Sequence, residues 1–182
     1  WNASELSSIE LDEGIKSLLV TGPPRDEKWT ALSPRQLQGL KDYCEKHDAW
    51  LVLEADGSKC RPLKAPADFE PVIPDWAELV IVVVGLSGLG QPISVDWVHR
   101  PERFAKIAGK RESDTICLDD ILNVLSSKQG GLNGVPETAR VVALLNQADL
   151  CAPSPETRAQ VQMTLHAAGY SFVWIGSLAT KD

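Results

Sequence analysis

The stretch Arg140-Val141-Val142-Ala143-Leu144-Leu145-Asn146-Gln147-Ala148-Asp149 decides the fold class. Its five central residues are apolar without alternation, the pattern of a strand buried on both faces of a parallel sheet. Polar groups begin abruptly at Asn146, and the carboxyl ends of parallel strands are where α/β sheets bind ligands. Four other β-rich runs flank this one: Ser17–Thr21, Trp50–Ala55, Leu79–Val84 and Ser171–Ile175.

Helical patterns lie between several of these runs. Ser33 caps a helix with Pro34 in its first position, and Leu37, Leu40, Tyr43 and Cys44 fall on one face. Ser154 and Pro155 repeat the signal, and Val161, Leu165 and Ala168 continue that helix to Gly169. A weaker helix is predicted from about Val95 to Ala108, with Pro101 inside it, and another over Leu118–Ser126. Strands alternating with helices predict one α/β domain over residues 1–182, a mainly parallel sheet with helices on both faces.

Composition narrows the function classes. A formal net charge of −7 argues against a general nucleic-acid binder, which needs a basic face for phosphates. The four cysteines, Cys44, Cys60, Cys117 and Cys151, show neither metal nor redox spacing and read as reduced thiols. Three scattered histidines argue against zinc. The longest apolar run is too short to span a bilayer and no signal peptide is visible, so a cytoplasmic protein is expected.

Two irregular stretches stand out, because long loops in compact domains are often functional. One is Lys128–Pro136. The other is Gly57–Pro74, stiffened by Pro62, Pro66, Pro71 and Pro74. It follows the run Trp50-Leu51-Val52-Leu53, which leads into Glu54, Asp56 and Gly57. Two carboxylates at a strand end suit Mg²⁺, which takes hard oxygen ligands alongside waters and phosphates. The same residues also fit an Asp-Gly turn with a solvated glutamate. Lys59, Arg61 and Lys64 come next, and such a loop can grip phosphate or carboxylate, the Arg as a fork and the Lys as a point charge. Cys60 sits among these cations, where a thiol can become reactive. An incidental small side chain fits there equally.

Two more strand ends carry candidates. Asn146-Gln147-Ala148-Asp149 has the spacing of Asn-Lys-x-Asp in GTPases, whose Asp reads the guanine edge, with Gln147 in place of the Lys. Gly176-Ser177 follows the last strand, where those proteins place a loop against the base. Each also reads as an ordinary turn. After Leu79–Val84, the loop with Gly85, Gly88 and Gly90 leads to His99 and Arg100, either of which could reach an anion.

The run from Glu54 through Asp56-Gly57-Ser58-Lys59-Cys60-Arg61-Pro62-Leu63-Lys64 to Pro74 resembles the signature of the YqeC family, bacterial proteins described as accessory factors for selenium-dependent molybdenum hydroxylases. Val84-Gly85-Leu86, Val98-His99-Arg100-Pro101-Glu102 and Leu144–Asp149 extend the resemblance over most of the chain from about Ser17. It implies a P-loop NTPase-like three-layer architecture with a Gly-Lys-Thr phosphate loop. The chain contains no such loop: it is expected to begin after it, the alternative being a member that lacks the loop. The resemblance further implies ATP or GTP bound with Mg²⁺. Glu54 and Asp56 would then serve the metal or position water, Lys59, Arg61, Lys64 and Arg100 would contact anions, and Asn146 and Asp149 would face the base. Molybdenum hydroxylases or cofactor-maturation proteins are the implied partners. Two rivals are a non-enzymatic module that binds a molybdopterin-type cofactor or a hydroxylase through Lys59–Pro74, and a selenium or sulfur transferase acting through Cys60.

Overall fold

A computed structural model describes residues 17, 19–22, 24–25 and 28–178. The chain divides into two compact units between Leu53 and Glu54. In the first, β1 (Pro24–Arg25) pairs antiparallel with β2 (Lys28–Trp29). Helix α1 (Pro34–Lys46) starts as expected: Ser33 accepts from the Gln36 N–H, and the Gln36 side chain returns to the Ser33 backbone. This reciprocal cap satisfies two donors that a helix start leaves open. Leu40 is buried against Val20, Leu32, Cys44 and Leu51, a small cluster of its own.

The second unit holds the main sheet. Strands β4 (Leu79–Gly85), β6 (Arg140–Asn146) and β7 (Phe172–Ile175) are parallel, in the order β4-β6-β7. Val84, Val141, Ala143, Leu145 and Val173 share one buried face. Against that face pack α2 (Pro101–Ala108), α3 (Leu118–Ser126) and α4 (Pro155–Ala167), through Phe104, Ile121, Leu125, Val161 and Leu165. A second parallel pair joins β3 (Leu63–Lys64) to β5 (Val98–His99). Among the described residues the fold is therefore α/β, with two parallel sheets, one short antiparallel pair and four α-helices.

Three expectations need correction. Trp50–Ala55 is not a strand: it has no ladder partner among the described residues, and Trp50 and Val52 are 95% and 89% exposed. An apolar run supplies propensity, but a strand needs a hydrogen-bonding neighbour. Ser17–Thr21 forms no strand beyond a bridge residue at Thr21, and Leu18 lies outside the described residues. Among the described residues of the second unit, helices also pack against one face of the sheet rather than both, and on the other face Leu79, Ile81, Val83 and Phe172 are exposed, Ile81 by 52%. The continuous apolar pattern anticipated two covered faces, and one is packed.

Proline also reset a boundary. Pro101 does not interrupt a helix from Val95; it begins α2, and the preceding Val98–His99 is extended. A proline lacks the N–H that the first turn leaves unpaired, so it fits at a start and not inside. Among the described residues no helix is long and apolar enough to cross a membrane.

Candidate functional site

The carboxyl ends of β4, β6 and β7 lie at Gly85, Asn146 and Ile175. The basic loop reaches this rim directly: the Gly85 N–H donates to the Pro62 carbonyl at 2.7 Å. A Cβ at Gly85 would stand 2.3 Å from Gln147 Oε1 and 2.8 Å from Pro62 Cβ. Only glycine lets the loop and the Asn146–Asp149 segment close on β4 together.

Asn146 acts as a tie. Its Oδ1 accepts from the Gln147 N–H at 2.8 Å and from the Leu178 N–H at 2.9 Å, joining the loops after β6 and β7. Gln147 adopts a left-handed conformation, φ 65°. Its Oε1 accepts from Ser87 Oγ at 2.7 Å, so the side chain folds back across the end of β4. Asp149 is exposed in the short 3₁₀ turn Ala148–Leu150.

The basic loop opens on a tight turn. Lys59 and Cys60 are both left-handed, φ 53° and 61°, the signature of a type I′ turn that usually takes Gly or Asn. The Arg61 N–H donates to the Ser58 carbonyl at 3.2 Å, and Ser58 Oγ donates to the Arg61 carbonyl at 2.7 Å. Arg61 donates from Nε to the Val95 carbonyl at 2.8 Å and from Nη1 to the Lys59 carbonyl at 2.5 Å. The guanidinium therefore braces the loop as well as charging it. Lys59 and Cys60 stay exposed.

An ion network lies behind this turn. Lys64 Nζ contacts Asp56, the Gly57 carbonyl at 2.8 Å and Glu70 Oε2 at 3.0 Å. Arg100 grips Glu70 through two hydrogen bonds of 2.7 Å, the bidentate form that suits a planar fork to a carboxylate. Hydrogen bonding from Arg100 holds the Glu70 carboxyl down at about 2; burial opposes this and Lys64 adds to it. Asn133 Nδ2 donates to the Glu70 carbonyl at 2.5 Å and to the Ala67 carbonyl at 3.3 Å, fixing the loop backbone. Arg103 pairs with Asp68 and lowers its pKa.

The sequence-predicted residues thus separate into three groups. Lys64 and Arg100 meet on Glu70, and Asp56 joins that network through Lys64. Lys59 and Arg61 belong to the turn in front of it, and Asn146 and Asp149 to the rim on the other side of Gly85. Glu54 is exposed and, like Asp56, does not end a strand. Among the described residues no three or more His, Cys, Asp or Glu side chains gather as a metal-holding group. Asp56 is engaged by Lys64, so as arranged it does not fit a metal. Sequence reasoning missed Glu70 and Asn133. Glu70 was within reach of it, since so many cations around one loop require a carboxylate partner; nothing in the sequence marked Asn133.

These positions fall largely within a stretch that other proteins share. The YqeC family, described as YqeC protein, matches residues 2–102. The chain is 33% identical over 128 residues, 70% of its length, to the uncharacterized protein YqeC of Escherichia coli (strain K12), and spans about half the length of that relative. No solved structure matches it. With more than half of its residues matching the family, including the whole Glu54–Pro74 loop and the His99-Arg100 pair, the chain belongs to the YqeC family.

Proposed function

We propose that this chain is the nucleotide-binding part of an accessory protein for the maturation of selenium-dependent molybdenum hydroxylases. One observation carries the reading: a cationic turn and an Asn-x-x-Asp loop close on the same glycine, Gly85, at the end of a parallel strand. Strand ends of this kind are the ligand sites of α/β sheets. The tie from Asn146 to Leu178 supports it, because it holds two loops in the arrangement a base pocket requires. A P-loop NTPase-like architecture is part of the proposal. In it Lys59 and Arg61 meet phosphate, Asn146 and Asp149 face the base, and ATP or GTP is the ligand. Mg²⁺ would arrive with the nucleotide and meet Glu54, which is exposed; Asp56 would be available only once Lys64 let go.

Thermal unfolding of the full-length native polypeptide tests this. Saturating Mg-ATP or Mg-GTP is expected to stabilise it by about 2–3 kcal/mol at roughly a hundredfold excess over Kd. No shift with either nucleotide would sink the reading, and a shift with Mg-GTP that Asp149→Ala abolishes would assign the base.

A second reading, docking of a hydroxylase through Lys59–Pro74, is favoured by a different observation. Phe69 and Val72 are 77% and 70% exposed on a backbone that Asn133 fixes, and a pre-organised apolar anchor suits a partner surface. Loss of hydroxylase binding in Phe69→Ser, with the nucleotide response intact, would support it; unchanged binding would remove it.

A further inference from the structure

Alternation divides β7 between the two faces of its sheet. Val173 is buried in the core, so Phe172 and Trp174 stand on the outer face. Register places Trp174 beside Leu144, and Leu144 beside Val83. Two residues further along, on the same face, come Asn146 and Gly176. The ladder continues to that level: the Gly176 N–H donates to the Leu145 carbonyl and the Ala148 N–H to the Gly176 carbonyl, both at 3.0 Å. Trp174 therefore approaches the rim on the face that Asn146 occupies, next to the Asn146–Asp149 loop.

The indole is seated on a glycine. A Cβ at Gly176 would stand under 3.0 Å from Cζ2, Cη2 and Cε2 of Trp174 together. Close approach to three consecutive ring atoms puts that point over the flat of the ring, because off its edge the two flanking atoms would be farther away. One face of the indole thus lies on the Gly176 backbone, and the half-buried ring turns its other face away from it. The Gln147 side chain is directed elsewhere, to Ser87 across the end of β4. A flat apolar wall beside two hydrogen-bonding loops is the composition of a site for a planar heterocycle. Stacking accepts any base, since every base has a π-face, and contacts to the edge then choose among them.

We propose that the face of Trp174 turned away from Gly176 is the stacking platform for the base of the bound nucleotide, a planar nitrogen heterocycle whose polar edge meets the Asn146–Asp149 loop. The inference rests on the nucleotide reading for the identity of its ligand and names the residue that holds the base. Gly176 acts as a positioning residue, since only the absence of a Cβ lets the ring lie where it does.

Mg-GTP and Mg-ATP are the probes, with Mg-tripolyphosphate as the charge without the base, and guanosine and adenosine as the base without the charge. In the full-length native polypeptide the Trp174 ring resonances, assigned by their loss in Trp174→Phe, should move upfield with nucleotides and nucleosides and stay in place with tripolyphosphate. Trp174→Leu should weaken both nucleotides about tenfold, the effect of one stacked base, while tripolyphosphate affinity and helical circular dichroism are unchanged. Trp174→Phe should recover most of that loss, and Gly176→Ala should reproduce it by lifting the ring from its seat. Nucleotide affinity indifferent to Trp174→Leu, or Trp174 resonances that follow tripolyphosphate as closely as Mg-GTP, would overturn the proposal and leave the nucleotide reading standing. If Trp174→Leu fails to fold, the wild-type resonances decide. Resonances that answer to a nucleoside in a polypeptide indifferent to Mg-ATP and Mg-GTP would sink the nucleotide reading and leave the heterocycle platform; silence to all five probes would sink both.

Discussion

Arg100 and Glu70, 30 residues apart in sequence, are locked fork to carboxylate by two hydrogen bonds of 2.7 Å, with Lys64 on the same acid. The pair joins the start of α2 to the loop that follows β3. Glu70→Gln would keep the shape and remove the charge, leaving two half-buried cations short of their acid. A loss on the order of 2 kcal/mol is expected, allowing for partial solvent screening, measurable as a lower urea midpoint with unchanged slope.

The same carboxylate sets an acid limit. Its folded pKa of about 2 lies below the ordinary 4.5, so its contribution is complete above about pH 4.5 and is lost as pH falls toward 2. Stability plotted against pH should decline across that window, and Glu70→Gln should make the decline shallower. An identical decline in the variant would show that other carboxylates govern acid unfolding.

Cys60 bears a conformation that glycine tolerates better, φ 61° beside Lys59 at φ 53°. Cys60→Gly is expected to raise stability by about 1 kcal/mol, the relief of left-handed strain exceeding the added freedom of the unfolded chain. Differential scanning calorimetry would show the melting temperature rising. A fall would mean that the Cys60 side chain contributes packing outweighing the strain.

Gly85→Ala would force a methyl to 2.3 Å from Gln147 Oε1 and 3.1 Å from Pro62 Cα. The amide can rotate away but the proline backbone cannot, so the cost should be about 2 kcal/mol. Combining it with Gln147→Ala should recover only part. Full recovery in the double-mutant cycle would place the whole clash on the side chain and none on the loop.

Asn146→Ala would remove the shared acceptor of the Gln147 and Leu178 N–H groups. A destabilisation of about 1–2 kcal/mol is expected. Amide exchange at Leu178 should accelerate more than exchange within β6, because the loop after β7 loses its tie while the strand keeps its ladder. Equal acceleration at both would contradict a local role.

Local chemistry was legible where one short signal sufficed. Ser33-Pro34 and Ser154-Pro155 mark helix starts because cap and φ constraint act within a turn. The runs at Leu79 and Arg140 became parallel strands because each is β-prone and finds the other as a neighbour over seven registered pairs. Trp50–Ala55 looked equivalent and is not a strand, because strand formation depends on a neighbour that no local pattern encodes. The candidate site divides on the same principle. The sequence by itself determined that Lys59, Arg61 and Lys64 share a proline-stiffened loop and that Asn146 ends a strand. Only the tertiary structure decided that one carboxylate, Glu70, takes both Lys64 and Arg100. Charge pairing depends on distances of a few ångströms between residues far apart in the chain, and those distances are set by packing rather than by spacing.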